Sequence, residues 1–308
     1  MHTTRYELLA VARFALQSAR QHLPAYGSKF APKKFTQPAL LAALCVKEYL
    51  RLDYRRLEAL LASAAELRQA LTLPAAPDHS MLHWFARHKV RPALLQRVLR
   101  TTLRQVRTRR RRHTVALDAT GFSRRSASRY YTARLGGYWR HTYLQRSTVV
   151  WTQPQLITAQ AVHVGPGSGH RFLRPLVTQT QPLLRIHRLL ADAGYDSEAH
   201  HRWLREEHGI ESIIPATVGR PGRLTRQPYR RRMQRDFPRR AYGQRWKVET
   251  VYSVVKRRFG EALTARTYWQ QVKQVLLRSV TYNVTRLIQR WVWCWRTLSH
   301  PGPLACVT

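Results

Sequence analysis

The chain has 308 residues, room for one large domain or two modest ones, and 44% of them are hydrophobic, which excludes global disorder. Lys and Arg number 54 against 16 Asp and Glu, a formal charge of +38, and self-repulsion at that excess is costly without a polyanionic partner. The basic residues are mostly Arg, which forks onto phosphate, so nucleic acid is the leading partner; an anionic membrane surface is the weaker rival and a merely solubilising surface the bland one.

The N-terminal stretch MHTTRYELLAVARFALQSARQHLP is amphipathic and punctuated by charge. It lacks the apolar run of a signal peptide, and no segment approaches a membrane span. The expectation is a cytoplasmic, nucleoid-associated protein with no membrane partner. Cys45, Cys294 and Cys306 have neither disulfide-framework nor zinc-ligand spacing. Leu and Ala at helical spacing through QPALLAALCVKEYLRLDYRRLEALLASAAELRQAL make the first third helical. Pro74 and Pro77 interrupt it, and Asp78 or Ser80 is placed to cap a restarted helix over Met81–His88. That helix reads as a DNA-contacting element or as a packing element, with Leu82, Trp84 and Phe85 as natural core residues. An all-helical domain over residues 1–110, for DNA-end binding or dimerisation, is the expected outcome.

The run RQVRTRRRRHT, residues 104–114, is a charge block expected to ride on phosphates or to be a solvated helix end. The pattern then changes to β. TVALDATG reads as a strand ending in a turn, RYYTAR and RSTVVWTQPQLITAQAVHVG carry β-branched and aromatic residues, and LGGYWRH reads as a turn between them. HRFLRPLVTQT is a helix, IHRLLADAGY a strand entering a turn, SEAHHRWLREEHG a helix closed by Gly209, and IESIIPAT a strand. A basic, proline-punctuated linker over 217–240 precedes a helix over Tyr242–Gly260, and a final amphipathic helix follows before a tail at 291–308. The order β-β-β-α-β-α-β-α gives an α/β class, a mixed sheet flanked by helices, over residues 111–290.

Scarce carboxylates are informative by position. Between His79 and Ala191 the only acidic residue is Asp118, which closes the apolar strand TVALD before a glycine turn. Asp192 closes HRLLAD, and a glycine turn again follows. Sites in such sheets form beyond strand carboxyl ends, so the two aspartates converge if their strands are neighbours. Glu249 comes from a helix. At about 100° per residue, Tyr242, Arg245, Glu249 and Lys256 fall within roughly 60° of one another, beside a stripe of Val248, Val251, Val255 and Phe259. Each acid has an ordinary reading: Asp118 as a turn residue, Asp192 as a loop cap, Glu249 as an i,i+4 partner of Arg245. Together they favour a nuclease-like site, in which oxygen ligands suit Mg²⁺ and paired ions assist in-line phosphoryl displacement. Asp196 reads as the cap of the helix that follows it.

Tyr242, Arg245, Glu249 and Lys256 match the Y-x2-R-x3-E-x6-K signature of bacterial insertion-sequence transposases of the insertion-sequence 4 and 5 superfamily. LDATGF around Asp118 and LADAGYDS around Asp192 resemble the blocks carrying that family's two aspartates, and the resemblance runs from about 110 to 290. It implies an RNase H-like fold and a DDE triad of Asp118, Asp192 and Glu249 as catalytic residues and metal ligands. Tyr242, Arg245 and Lys256 take DNA-contacting roles, extended by Arg257 and Arg258. It implies Mg²⁺, with Mn²⁺ as a substitute, cleavage at inverted-repeat ends, strand transfer into target DNA, and a homodimer in the DNA complex. Only the basic stretch at 217–240 stands where some relatives carry a large insertion domain, which leaves the second-strand chemistry open. The rival readings are a non-catalytic DNA-binding derivative and another RNase H-fold nuclease.

Overall fold

A computed structural model describes residues 2–30, 32–106, 112–123, 143–165, 167–217 and 224–299. The strand expected in RYYTAR and the turn expected in LGGYWRH lie outside the described residues, as does the centre of the charge block at 104–114. The chain divides into two compact units, one of residues up to Val98 and from Val280 onward, the other Leu99–Ser279.

The first unit is helical, with α1 (His2–Arg20), α2 (Gln37–Tyr49), α3 (Tyr54–Ser63), α4 (Ala65–Ala70), α5 (His79–His88) and the start of α6 (Pro92–Arg104). Side-chain caps fix three of the starts. Thr36, Asp53 and Asp78 accept the backbone N–H groups of Ala39, Arg56 and Ser80, satisfying donors a helix N-terminus leaves unpaired. Asp78, not Ser80, therefore caps α5, and the helix begins at His79. Leu82 and Phe85 are buried, but Trp84 is 52% exposed. The expectation of Trp84 as a core residue is corrected: two positions from Leu82 is about 200° around a helix, the side facing away from the core.

The second unit holds β1 (His113–Ser123), β2 (Tyr143–Trp151), β3 (Leu156–Val164), α7 (Leu173–Thr180), β4 (Ile186–Ala191), α8 (Glu198–Arg202), β5 (Glu211–Ile213), α9 (Pro228–Arg235), α10 (Arg239–Tyr242) and α11 (Trp246–Phe259). The first part of α12 (Tyr268–Ser299) also belongs to it. The helix after α8 continues as a π-turn over Trp203–Glu207 and ends at Gly209, whose φ of +61° suits glycine. The sheet order is β3-β2-β1-β4-β5, with β1–β2 and β2–β3 antiparallel and β1–β4 and β4–β5 parallel. This mixed sheet with flanking helices is RNase H-like. Among the described residues no helix is long and apolar enough to cross a membrane.

Strand alternation divides the core in two. Val115, Leu117, Val149 and Leu189 join Leu173, Leu176, Val177 and Leu204 in one apolar cluster, on the face covered by α7 and α8. The intervening positions of β1, among them Ala116, Asp118 and Phe122, face the other way. There α11 packs on β1 and β2 through Val248, Val251, Tyr252, Val255 and Phe259. On that face Arg146 of β2 is fully buried, its guanidinium 5.2 Å from the Phe122 ring centre and 5.1 Å from that of Tyr252. Its Nη1 donates to Ser279 Oγ at 2.7 Å, and that hydroxyl donates to Gln160 Oε1 at 2.7 Å. This chain of contacts ties β1, β2, β3, α11 and α12 into one body.

Two expectations about β1 are corrected. The strand does not close at Asp118, and Gly121 is not in a turn: β1 pairs with β2 as far as Ser123↔Tyr143. Glycine is needed there for space. A Cβ on Gly121 would lie 1.7 Å from Tyr143 Oη, and one on Gly165 would lie 2.5 Å from Tyr143 Cδ1. The tyrosine ring thus covers two glycines and shields a weak stretch of backbone. Gly121→Ala is expected to lower stability by about 0.5–1.5 kcal/mol by forcing the exposed Tyr143 ring from its rotamer. The denaturation midpoint measures it, and Tyr143→Ala in the same chain should recover part of the loss.

Candidate active site

The parallel pairing of β1 with β4 sets the site. Its last paired level is Leu117↔Ala191, so Asp118 and Asp192 both follow at the next level, on the face opposite the Leu117 cluster. Asp192 stands in extended geometry, φ −77° and ψ 173°, and opens a 3₁₀ turn over Ala193–Tyr195. Glu249 lies in the first turn of α11. The approach to that helix is tighter than a continuous α-helix: α10 ends at Tyr242 and a 3₁₀ turn, Gly243–Arg245, intervenes. That turn packs against both β1 and β4, which delivers Arg245 to the aspartates.

Arg245 is the hub. Its Nη1 donates to Asp118 Oδ2 at 3.2 Å, and its Nη2 donates to Glu249 Oε1 at 2.5 Å. Its guanidinium also lies 5.8 Å from the Tyr242 ring centre. Burial opposes the charge on Arg245, yet Tyr242, Asp118, Glu249 and Asp192 together raise its pKa above the ordinary value. Burial likewise raises the pKa of Tyr242, with Arg245 working against it. Asp118 is anchored three ways. Its Oδ1 accepts the Ala119 N–H at 2.8 Å, its Oδ2 accepts Arg245, and its backbone carbonyl accepts the Tyr252 hydroxyl at 2.6 Å. Burial pushes the Asp118 carboxyl up to about 6. The Ala119 hydrogen bond and Arg245 pull it down, while Asp192 and Glu249 add repulsion.

The donor set suits a hard cation. All three candidate ligands are carboxylates, which match Mg²⁺ held by few protein oxygens with water and phosphate completing its shell. Asp192 Oδ1 is buried and accepts no hydrogen bond among the described residues. A Cβ on Gly194 would stand 3.2 Å from that oxygen, so glycine keeps the space beside it clear. The three carboxylates do not close on one point, because Arg245 stands between Asp118 and Glu249. Among the described residues the group whose ligand atoms all lie within 4.8 Å of one another is instead Glu58, Asp78 and His79, in the helical unit. There His79 Nδ1 lies 2.8 Å from Glu58 Oε2, and Asp78 caps α5.

The remaining expected site residues are more dispersed. Lys256 lies two turns beyond Glu249, where its Nζ donates to Glu261 Oε1 at 3.1 Å and stands 5.8 Å from the Phe122 ring centre. Arg257 is exposed and Arg258 half-buried. By helical geometry Arg258 sits about 180° from Glu249, so it does not share the carboxylate face. Asp196 does not cap α8 either; the residue before that helix is Ser197, and the Asp196 carboxylate binds Arg230 at 2.6 Å. A short helix offers weak reward for a cap, and a guanidinium offers a charge-assisted one. Sequence reasoning missed Tyr252, whose only signal was its place in the buried stripe. It also missed a groove of about 560 Å³ lined by Tyr54, Arg55, His83, Trp84 and Arg87.

The raised pKa of Asp118 gives a signed expectation. A carboxyl whose folded pKa lies above its unfolded value binds its proton more tightly in the folded state, so stability falls as pH rises from about 4 to about 6 and stays lower above that. Asp118→Asn should therefore raise the unfolding free energy at pH 8 in chelator by on the order of 1–3 kcal/mol. The gain should vanish near pH 4. Thermal unfolding at the two pH values reads it.

A family model described as "Transposase DDE domain" matches residues 109–284. No curated protein matches the chain. The matched span covers the entire sheet and more than half of the chain, and by that match the chain belongs to the DDE transposase-domain family, enzymes that cleave DNA and transfer its strands.

Proposed function

We propose that the protein is an insertion-sequence transposase of the insertion-sequence 4 and 5 type, cutting DNA at the ends of its element and joining the 3′ ends to a target. The observation that carries this is that Asp118 and Asp192 follow the last paired level of β1 and β4 while Arg245 links Asp118 to Glu249. A protein that only binds DNA has no use for carboxylates at a phosphate-facing surface, since they repel the ligand. Asp118, Asp192 and Glu249 are the residues that hold Mg²⁺ in this reading. The ions, when bound, supply activation of the attacking hydroxyl and stabilisation of the leaving oxygen.

The protein's own residues have distinct tasks. Tyr252 fixes the backbone of Asp118 through the 2.6 Å hydrogen bond, which sets the direction of its carboxylate. Arg245 balances Asp118 and Glu249 before substrate arrives, and then offers its planar fork to a phosphate. Tyr242 supports Arg245 through its ring face. Lys256, on α11 two turns beyond Glu249, places a second cation away from the three carboxylates, for a phosphate further along the strand. In the helical unit the exposed face of α5, with His83, Trp84 and Arg87, is the element assigned to the transposon ends. A homodimer in the DNA complex completes the reading.

Replacing Asp118, Asp192 or Glu249 by Ala should abolish Mg²⁺- or Mn²⁺-dependent cleavage while DNA affinity, carried by many cations, stays within a few-fold. Metal-dependent cleavage that survives any one change sinks the assignment. Lys256→Ala should slow single-turnover cleavage at saturating DNA by more than tenfold, about 1.4 kcal/mol of transition-state stabilisation. Its melting temperature should barely move, because an exposed partner such as Glu261 contributes only about 0.2–1 kcal/mol. An unaltered single-turnover rate removes Lys256 from the reaction.

A further inference from the structure

The described part of the basic stretch before the Glu249 helix, residues 224–240, is held against the rest of its unit. Asp196, four residues past Asp192, has a side chain only 1% exposed and binds the guanidinium of Arg230. Arg230 Nε donates to both carboxylate oxygens at 2.9 Å, and Nη2 to Oδ2 at 2.6 Å. The same Oδ2 accepts the Thr217 N–H at 2.7 Å, and the Thr217 hydroxyl donates to the Ala193 carbonyl at 3.3 Å. Glu198 accepts the N–H groups of Tyr229 and Arg230 at 3.3 and 3.1 Å, so it caps α9 from a different element. At the far end Phe237 packs its ring 4.9 Å from that of Tyr242. The segment is thus pinned to the Asp192 loop at one end and to the approach of Arg245 at the other.

The pinning sorts the arginines of α9 by face. Arg230 and the buried Met233 point inward, and at about 100° per residue they lie within roughly 60° of each other. Arg231, Arg232 and Arg235 are exposed and span about 100° on the other side. Arg226, Arg239 and Arg240 are exposed in the same short stretch. Among the described residues, Arg230 is the arginine of this segment held in an ion pair. Holding so many cations on one small rigid element is self-repulsive unless a polyanion lies against it.

We infer that α9, clamped by Asp196 and Glu198, is a fixed phosphate-binding ridge that receives the DNA backbone next to the cleavage position. This rests on DNA as the partner and extends that reading to residues outside the Tyr-Arg-Glu-Lys face. The clamp makes the inference sharp, because it is built from acids. Removing an acid raises the protein's net positive charge. If the arginines were unstructured ballast, Asp196→Asn would leave DNA binding unchanged or tighten it. If the ridge must be held in place, the same change weakens binding.

The test uses the full-length chain in EDTA, so that cleavage is off, with a short fluorescein-labelled DNA duplex of arbitrary sequence titrated over a range of salt. The triple variant Arg231→Gln, Arg232→Gln, Arg235→Gln should reduce the slope of log affinity against log salt by about two to three, at about 0.9 for each phosphate that is no longer neutralised. Asp196→Asn and Glu198→Gln should each weaken binding at least threefold, against the sign of their charge change, with a cooperative melting transition retained. A triple variant whose slope changes by less than one overturns the ridge. So does a cooperatively folded Asp196→Asn protein that binds as tightly as the parent. If Asp196→Asn loses its transition, the triple variant, altered only on the surface, decides. Binding is read without catalysis, so a parent protein that fails to cleave DNA would sink the transposase reading and leave this measurement standing.

Discussion

One register decides where the two candidate aspartates sit. Because Leu117 pairs with Ala191 in the parallel ladder, the residues that follow each of them arrive side by side on one face of the sheet. A slip of one position would send Asp118 into the apolar cluster under α7 and α8 and bring Leu117 to the opposite face. The flanking residues forbid it. Val115, Leu117 and Leu189 are fully buried against that cluster, and each such side chain is worth about 1.5–3 kcal/mol. The hydrophobic pattern of two strands therefore does the aiming for two polar residues that have no packing preference of their own. The third carboxylate is aimed the same way, by Val248, Val251 and Val255, which seat α11 on the sheet.

Gathering three carboxylates is unfavourable, and the protein answers locally rather than with its large overall charge. Cations in solvent are screened at distances beyond about 10 Å. Among the described residues Arg245 lies between Asp118 and Glu249, and the buried position of Asp118 makes that neighbour count. Even so, burial leaves the Asp118 carboxyl raised to about 6. Desolvation and repulsion outweigh one shared guanidinium, so Asp118 holds a proton more tightly than a free carboxyl does.

Much of this was legible in the sequence. Alternation and β-branched runs placed the strands, and the scarcity of acid between His79 and Ala191 singled out Asp118. Helical spacing put Arg245 beside Glu249 and the valines beneath it. What was not legible depended on contacts between distant segments. Nothing near Gly121 says that it lies mid-strand, because the reason is the ring of Tyr143 on another strand. Asp196 looked like a cap because the residues after it form a helix, while its true partner, Arg230, comes after a strand and a turn. Trp84 was judged by its chemistry and not by its angle on α5, which the start at Asp78 fixes.

The anchors of the basic segment have a consequence for how such a chain diversifies. Thr217 is tied to Asp196 and Ala193, and Thr225 donates its N–H to Gln234 Oε1 at 2.8 Å. Thr217 and Thr225 are therefore each held by the fold itself. A whole additional module could be spliced between Thr217 and Thr225 without moving Asp192 or Glu249. The place where this enzyme is most economical is also its natural port for acquiring new parts.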